Sequence, residues 1–531
     1  MDLRGDVAHV ESCVTRFTTE KNGKRQIVTG RYIDITARNT KKMLKAPSRR
    51  EFLKVAAQSA ALALATPLVG RAAPSGDGRP NILFLLTDDQ RFDAVGYVNE
   101  AVLTPHIDKL ASASLRFRNM FVTTPICAIS RASIFTGMYG RRHRCDFSTS
   151  LSSELAGYSY PALMRRAGYR TAFFGKYGVG DGMVTGKILT ERPTAAERAG
   201  FDVIENFGFS YYLDGDPDRK HHIHDILTER SEAFLDSCVK DQPFCLSVSF
   251  VSPHENMVGH FPEVEQLLPA EPDLLSLYHG KTFADRPLMN EKAFETLPDF
   301  LRHSYARLLW QKLLSTPEQR LDYLRKYNAL ISGIDRVIGR LVHKLEAMDL
   351  LSNTIIIFTS DNGFFLGDYE MSEKWFGYEP SIRVPLFIRL PGVVGGRDIH
   401  QMALNIDLAP TMLALARVPI PERTQGRDLS VLWTGESAQR WRTDFLYEFM
   451  TSYDPATQAR AERGRKSIPS SEGVRDERYT YLRYPFQKRN NEFLFDRHTD
   501  PGELSNLAGK APSELLNYYR RRTDELIALN S

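Results

Sequence analysis

Cysteine is scarce in this chain. Its 531 residues include five, Cys13, Cys127, Cys145, Cys238 and Cys245, with neither CxxC spacing nor the density of a disulfide scaffold. A disulfide-stapled fold is thereby excluded, and cysteine matters singly if it matters at all. Excess charge of one sign is missing too. A formal net charge of +4 is too weak to call for nucleic acid as a partner, and no basic block is interleaved with aromatics. Any preference for anions must come from a local site. No internal repeat is found. No apolar run is long enough to cross a bilayer: the longest, Val55 to Val69, is short and is broken by Gln58, Ser59 and Pro67.

What is present is an ordinary globular composition, 42% hydrophobic and 25% charged, enough for a large core. The stretch Ser48-Arg49-Arg50-Glu51-Phe52-Leu53-Lys54, followed by the Val55–Val69 run and then Arg71-Ala72-Ala73-Pro74, reads as a twin-arginine signal over residues 43–73. Export through the twin-arginine machinery to a periplasmic or extracellular location is the expectation, with folding and any modification completed first. Residues 1–42 read as an extension ahead of Met43, the more natural start for such a signal.

In the mature chain Asn81-Ile82-Leu83-Phe84-Leu85-Leu86-Thr87 is continuously apolar, as a strand buried on both faces must be, and it ends in Asp88-Asp89. Thr354 to Thr359 is a second such run and ends in Ser360-Asp361-Asn362-Gly363. Thr171 to Lys176 and Phe244 to Phe250 read as further strands ending near Lys176 and His254. From Gln319 to Met348, leucine and isoleucine recur at helical spacing. This alternation predicts a doubly wound α/β domain, in which ligands sit beyond the carboxyl ends of the strands. Residues 255–318, rich in Pro, Glu, Leu and Phe without a period, read as an insertion over one end of the sheet. After residue 440, the runs Phe445–Phe449 and Tyr479–Tyr484 and an amphipathic segment from Ser513 to Leu529 predict a small α+β appendage. The expected division is a catalytic domain over 78–440 and a C-terminal subdomain over 441–531.

Two strand ends carrying Asp88, Asp89, Asp361 and Asn362 offer four hard oxygen ligands, which suit Ca²⁺, or Mg²⁺ as the alternative. A lone Asp-Asp pair is more often a solvated turn or a helix cap. Two such ends in one α/β domain favour a metal, and Asn362 in place of a histidine favours calcium over zinc.

The stretch Pro125-Ile126-Cys127-Ala128-Ile129-Ser130-Arg131-Ala132-Ser133-Ile134-Phe135-Thr136-Gly137 resembles the signature of the formylglycine-dependent sulfatases, usually Cys-x-Pro-Ser-Arg followed by a small-residue helix ending in Thr-Gly. The resemblance covers nearly the whole mature chain. It continues through Asp88-Asp89, Gly175-Lys176, Pro253-His254, Asp361-Asn362-Gly363, Lys374, Arg383-Val384-Pro385-Leu386, Asp407 to Leu413, Leu494-Phe495-Asp496 and Asp500-Pro501 to Asn506-Leu507. It implies an alkaline phosphatase-like α/β sandwich with a large central mixed sheet and a smaller C-terminal α+β subdomain. It also implies that a formylglycine-generating maturase oxidises Cys127, and that the hydrated aldehyde, one hydroxyl on the metal, attacks sulfur. Deprotonation of the second hydroxyl would then expel sulfate. Arg131, one turn after Cys127, would hold the nucleophile and the metal ligands in register. Lys176 and Lys374 would neutralise sulfate oxygens, and His254 would protonate or steady the leaving oxygen.

The chain departs from the family pattern at several points. Ile129 stands where the maturase usually reads Pro. Gly175-Lys176-Tyr177-Gly178 replaces Gly-Lys-Trp-His and lacks the histidine expected against formylglycine, although N-acetylglucosamine-6-sulfatase-like members often carry Lys-Tyr there. Gly367-Asp368-Tyr369-Glu370 replaces a common Gly-Glu-His-Gly, a change that bears on the substrate pocket. His143 follows Gly137 at a spacing seen in the family. The expected substrate is a sulfated saccharide or a small aryl sulfate. Two alternatives stay open: a phosphoester or phosphonate ester hydrolase of the same superfamily, and a non-catalytic relative that binds sulfated glycans.

Overall fold

The computed structural model describes residues 15–21, 24–30, 78–146, 149–179, 195–212, 221–239, 241–256, 267–434, 441–450, 452–453, 468–487 and 491–531. The chain forms two compact units, Met1–Ala72 and Ala73–Ser531. In the first, β1 (Thr15–Lys21) and β2 (Lys24–Gly30) pair antiparallel. The twin-arginine segment expected over residues 43–73 lies outside the described residues.

The second unit begins with β3 (Asn81–Thr87), β4 (Leu115–Phe117) and β5 (Met120–Phe121), and the helix Cys127–Thr136 follows. Next come β6 (Arg170–Gly175), β7 (Val203–Asn206), β8 (Phe244–Ser249) and β9 (Thr354–Ser360). The strands β10 (Leu386–Arg389), β11 (Arg397–Ile399) and β12 (Ala403–Leu404) close this part of the chain. Eight of them form one sheet in the order β11-β4-β10-β9-β3-β8-β6-β7. From β9 to β7 all neighbours are parallel, whereas β10 runs antiparallel to both β9 and β4, so the sheet is mixed, as expected.

The unbroken apolar runs follow from this layering. In β3, Ile82, Phe84 and Leu86 enter one hydrophobic core while Leu83 and Leu85 enter the other. In β9 the same split separates Ile355 and Ile357 from Ile356 and Phe358. A strand covered on both faces has no polar side to show, and each of these buried side chains contributes about 2 kcal/mol through burial. The long helix Pro317–Ala347 supplies one cover. Its start is fixed by a capping box in which Thr316 Oγ1 accepts from the Gln319 amide at 3.2 Å, with Pro317 at the first helical position. Helix Cys127–Thr136 lies in the opposite layer.

Also in that opposite layer is a four-stranded antiparallel sheet of β13 (Asp444–Phe449), β14 (Ser471–Asp476), β15 (Tyr479–Arg483) and β16 (Glu492–Asp496), followed by the helix Ser513–Asn530. Phe445, Val474, Leu482 and Leu494 share a core with Ile129 and Phe135 of the Cys127 helix. The described part of the 255–318 insertion folds into short helices, among them Pro272–Ser276 and Tyr305–Leu313. It lies against the loop that leads to Lys374: the Tyr369 amide donates to the Leu288 carbonyl and the Ser372 amide to the Ala306 carbonyl.

Candidate functional site

Strand register brings the site together. β3 and β9 pair Thr87 with Ser360, so Asp88 and Asp361 leave the sheet side by side, and the Asp361 amide donates to the Thr87 carbonyl at 3.1 Å. On the other side of β8, the pair Gly175–Ser249 puts Lys176 next, its amide 2.8 Å from the Ser249 carbonyl. Asp89 adopts a left-handed φ of 61°, and this turn lets its amide reach Asp361 Oδ1 at 3.4 Å. The Asp88 amide donates to the Ser252 carbonyl, just before Pro253-His254.

Cys127 is the first residue of its helix, and the preceding Ile126 is extended and provides no side-chain cap. Arg131 is four residues on and therefore on the same face. It is fully buried, with Nε 2.6 Å from Asp361 Oδ2 and Nη1 donating to Ser249 Oγ at 2.6 Å and to the Lys176 carbonyl at 2.5 Å. Its Nη2 lies 3.4 Å from Asp88 Oδ2. Gly178 explains how so large a side chain fits. It has φ +70°, and a Cβ there would stand 2.7 Å from Arg131 Cδ. Ser130 Oγ donates to the Asp361 carbonyl and accepts from Asn405 Nδ2 at 2.9 Å, a tie that sequence reading missed. Its only sequence signal is the proximity of Asn405 to the Asp407–Leu413 stretch.

Every predicted site residue is buried and belongs to one cluster. Lys176 Nζ contacts Asp88 Oδ2, and Lys374 Nζ lies 2.6 Å from Asp89 Oδ2. Asn362 Nδ2 donates to Asp89 Oδ1 at 2.6 Å, and His254 Nε2 is 3.6 Å from Asp89 Oδ2. Burial and the neighbouring Asp88 charge push the Asp361 carboxyl up to about 7. Burial acts in the same sense on Asp88, but Lys176, His254, Arg131 and Lys374 outweigh it and hold that carboxyl well below its usual range. Burial and Lys374 lower His254 to about 4. Its Nδ1 lies 2.6 Å from the Glu255 carbonyl, which can only accept, so the ring is neutral with the hydrogen on Nδ1 and the lone pair on Nε2. Burial raises the Cys127 thiol, so the unmodified side chain is no thiolate at neutral pH.

Two oxygens in the cluster, Asp88 Oδ1 and Asn362 Oδ1, are buried without a hydrogen-bond partner among the described residues. Leaving such atoms unpaired costs about 1–3 kcal/mol each. Together with Asp89 and Asp361 they form an all-oxygen set that fits a hard divalent cation, and Asp88, Asp89 and His254 group closely enough to hold a metal ion.

Phe209, Glu255 and Glu373 were not legible beforehand. The Phe209 ring lies 3.8 Å from Lys176 Nζ and packs on His254, and no pattern in the sequence marks it. Glu255 and Glu373 are buried carboxyls pushed up to about 8 and about 7, first by burial. Tyr323 donates to Glu255 Oε1 at 2.8 Å, and Glu373 Oε2 lies 3.6 Å from Lys374 Nζ. His143 is fully buried, its Nδ1 accepting from the Cys145 amide and its Nε2 3.0 Å from Ser133 Oγ, which braces the Cys127 helix from behind. Asp368 receives Arg91 and Arg286 at 2.9 Å each, and Tyr369 donates to the Gly502 carbonyl. That variant stretch therefore anchors the insertion.

The sulfatase family model matches residues 80–418, and a model described as N-sulphoglucosamine sulphohydrolase, C-terminal, matches residues 367–527. The N-acetylglucosamine-6-O-sulfatase of Bacteroides thetaiotaomicron is 28% identical over 512 residues, spanning 85% of each chain. Among solved structures, one in complex with its substrate D-glucosamine-2-N,6-O-disulfate aligns at TM-score 0.65 and 24% identity, covering 84% of this chain and 97% of that one. The phosphonate monoester hydrolase of Silicibacter pomeroyi aligns at TM-score 0.66 and 24% identity, over 85% and 96%. Both structures share the fold, and at this identity the fold is all they establish. The family model, spanning most of the chain, decides between their chemistries: this chain belongs to the sulfatase family and is a sulfuric ester hydrolase.

Proposed function

We propose that the enzyme releases inorganic sulfate from a sulfated saccharide, with an amino-sugar 6-sulfate as the first candidate, through a formylglycine made from Cys127 by a maturase. The observation that carries this reading is the pair of orphaned oxygens, Asp88 Oδ1 and Asn362 Oδ1, in the carboxylate cluster beside the Cys127 helix. The cluster suits Ca²⁺, with Mg²⁺ as the alternative, held by Asp88, Asp89, Asp361, Asn362 and the group derived from Cys127. When bound, such an ion supplies the positive charge that lowers the pKa of a nucleophilic hydroxyl.

Arg131 keeps the Cys127 helix and Asp361 in register. Lys176 and Lys374, paired with Asp88 and Asp89 in the structure, are the charges available to sulfate oxygens. His254 has Nδ1–H committed to the Glu255 carbonyl, so Nε2 is the atom that exchanges a proton with the leaving oxygen. The sugar preference rests on the relative named N-acetylglucosamine-6-O-sulfatase and on the structural neighbour holding a glucosamine disulfate. Two further assignments belong to this reading: a catalytic domain over 78–440 with a C-terminal subdomain over 441–531, and export by the twin-arginine route to the periplasm or beyond.

Mass spectrometry of the Cys127 peptide from protein made in its native host, paired with sulfate release from 6-sulfated glucosamine derivatives, tests the proposal. The expected result is the mass loss of thiol-to-aldehyde conversion and calcium-dependent release of sulfate. An unmodified thiol in a preparation that still releases sulfate would refute the nucleophile. Turnover of phosphonate monoesters but not sulfate esters would refute the substrate class.

A further inference from the structure

Away from the carboxylate cluster, His222, His224 and Glu271 meet in the interior, all nearly or fully buried. His222 and His224 flank Ile223 where the helix Ile223–Asp236 begins, and Glu271 precedes the helix Pro272–Ser276. Hydrogen-bond directions here leave a problem. His222 Nε2 lies 3.1 Å from the Pro269 carbonyl, which can only accept, so Nε2 carries the hydrogen and Nδ1 the lone pair. That lone pair faces Glu271 Oε2 at 3.3 Å, acceptor against acceptor. The His224 amide donates to that lone pair at 3.3 Å as the cap of the helix, a bond that an ion would replace.

His224 has the same choice of orientation. Its Nε2 is 2.8 Å from Ser252 Oγ, which accepts as readily as it donates, and its Nδ1 is 3.0 Å from Glu271 Oε2. Each imidazole thus has its far nitrogen on an oxygen partner and its near nitrogen aimed at one carboxylate oxygen. This is the arrangement in which a ligating histidine donates its other N–H to an outer partner. Arg336 takes the remaining oxygen, Glu271 Oε1, and leaves Oε2 for the shared point.

The His222 spacing agrees with an ion, and the His224 spacing is somewhat shorter. Ligands on a tetrahedral ion with bonds of about 2.0–2.1 Å stand about 3.3–3.4 Å apart. The two nitrogens lie 3.0 and 3.3 Å from Glu271 Oε2. We propose that His222 Nδ1, His224 Nδ1 and Glu271 Oε2 hold a structural divalent ion of the borderline class, zinc first, distinct from the oxygen-lined site. It pins the segments at 222–224 and 269–271 to Ser252. The Ser252 carbonyl in turn receives the Asp88 amide, so the ion stiffens the turn that leads to His254.

Metal analysis of the full-length protein, produced with calcium and zinc both supplied and then dialysed, tests this directly. About one zinc per chain is expected. It should persist in Asp361→Asn, which perturbs only the oxygen-lined site, and vanish in the double variant His222→Gln/His224→Gln. Should the double variant not fold, the wild-type protein decides alone. After zinc is stripped, cobalt(II) should bind one-to-one with visible absorption bands, and returned zinc should raise the melting temperature and displace the cobalt. A wild-type protein that takes up neither zinc nor cobalt, or a folded double variant that keeps its zinc, overturns the proposal. Neither outcome touches the sulfatase reading.

Discussion

Arg131 Nε stands 2.6 Å from Asp361 Oδ2 with both side chains fully buried, and this contact joins the first turns of the Cys127 helix to the end of β9. The same guanidinium meets Asp88, Ser249 and the Lys176 carbonyl, so one side chain sets the spacing of helix, strands and carboxylates. Arg131→Ala should lower stability by about 3–5 kcal/mol, because buried carboxylates lose their counter-charge. Sulfate release should fall by more than about 100-fold from misplacement alone. Urea unfolding and a sulfate assay on the same preparation check both. Arg131→Lys should rescue little, since an ammonium cannot form the planar set of contacts.

Asp361 predicts a dependence on pH and calcium. Its folded carboxyl is raised to about 7 from the ordinary 3.8, so between those values the metal-free folded chain binds the proton that the unfolded chain has released. Stability of the metal-free enzyme should therefore fall as pH rises from about 4 to 7 by the share that Asp361 contributes. Asp361→Asn should remove that share. Calcium should stabilise the wild type, by about 2.7 kcal/mol at a hundredfold excess over Kd, and the Asn variant far less. Thermal melts with chelator or calcium across this pH range give the comparison, and equal calcium shifts in both proteins would argue against Asp361 as a ligand.

Ile129 occupies the third position of the Cys127 helix, and the first amide to find an intrahelical carbonyl is that of Ser130, bonded to Ile126. Proline at 129 therefore breaks no helical hydrogen bond. Ile129→Pro should fold with a loss of about 1–2 kcal/mol for its buried methyl groups. It should also raise the fraction of Cys127 converted to formylglycine in a host with a generic maturase. Peptide mass spectrometry measures that fraction, and a lower conversion than wild type would show that this chain's maturase reads Ile129 itself.

Gly178 stands where the family usually has histidine, and restoring that residue should harm the enzyme. The backbone has φ +70°, and a Cβ there would press on Arg131 Cδ at 2.7 Å. Gly178→His should lower both melting temperature and sulfate release, with the larger effect on release because Arg131 must move. Gain of activity would mean that the 176–179 turn adopts another backbone in solution.

The sequence alone determined the elements whose burial is complete or whose period is long. The runs 81–87 and 354–359 read as buried strands because side chains on both faces enter cores, and the helix near 319–348 reads clearly because its leucines and isoleucines repeat over many turns. Asp88, Asp89, Asp361, Asn362 and the Cys127 stretch could be picked out as candidates for the same local reason: each motif is contiguous. Only the tertiary structure decided that β10, four residues long, runs antiparallel into the sheet, since so short a strand has no period to read. It alone paired Lys176 with Asp88 and Lys374 with Asp89, laid Phe209 over Lys176, and tied Ser130 to Asn405, 275 residues away. It brought Glu271 to His222 and His224 in the same way. These contacts follow from strand register and from how the layers stack, and those are settled by burial over the whole chain, leaving no trace in any short stretch of it.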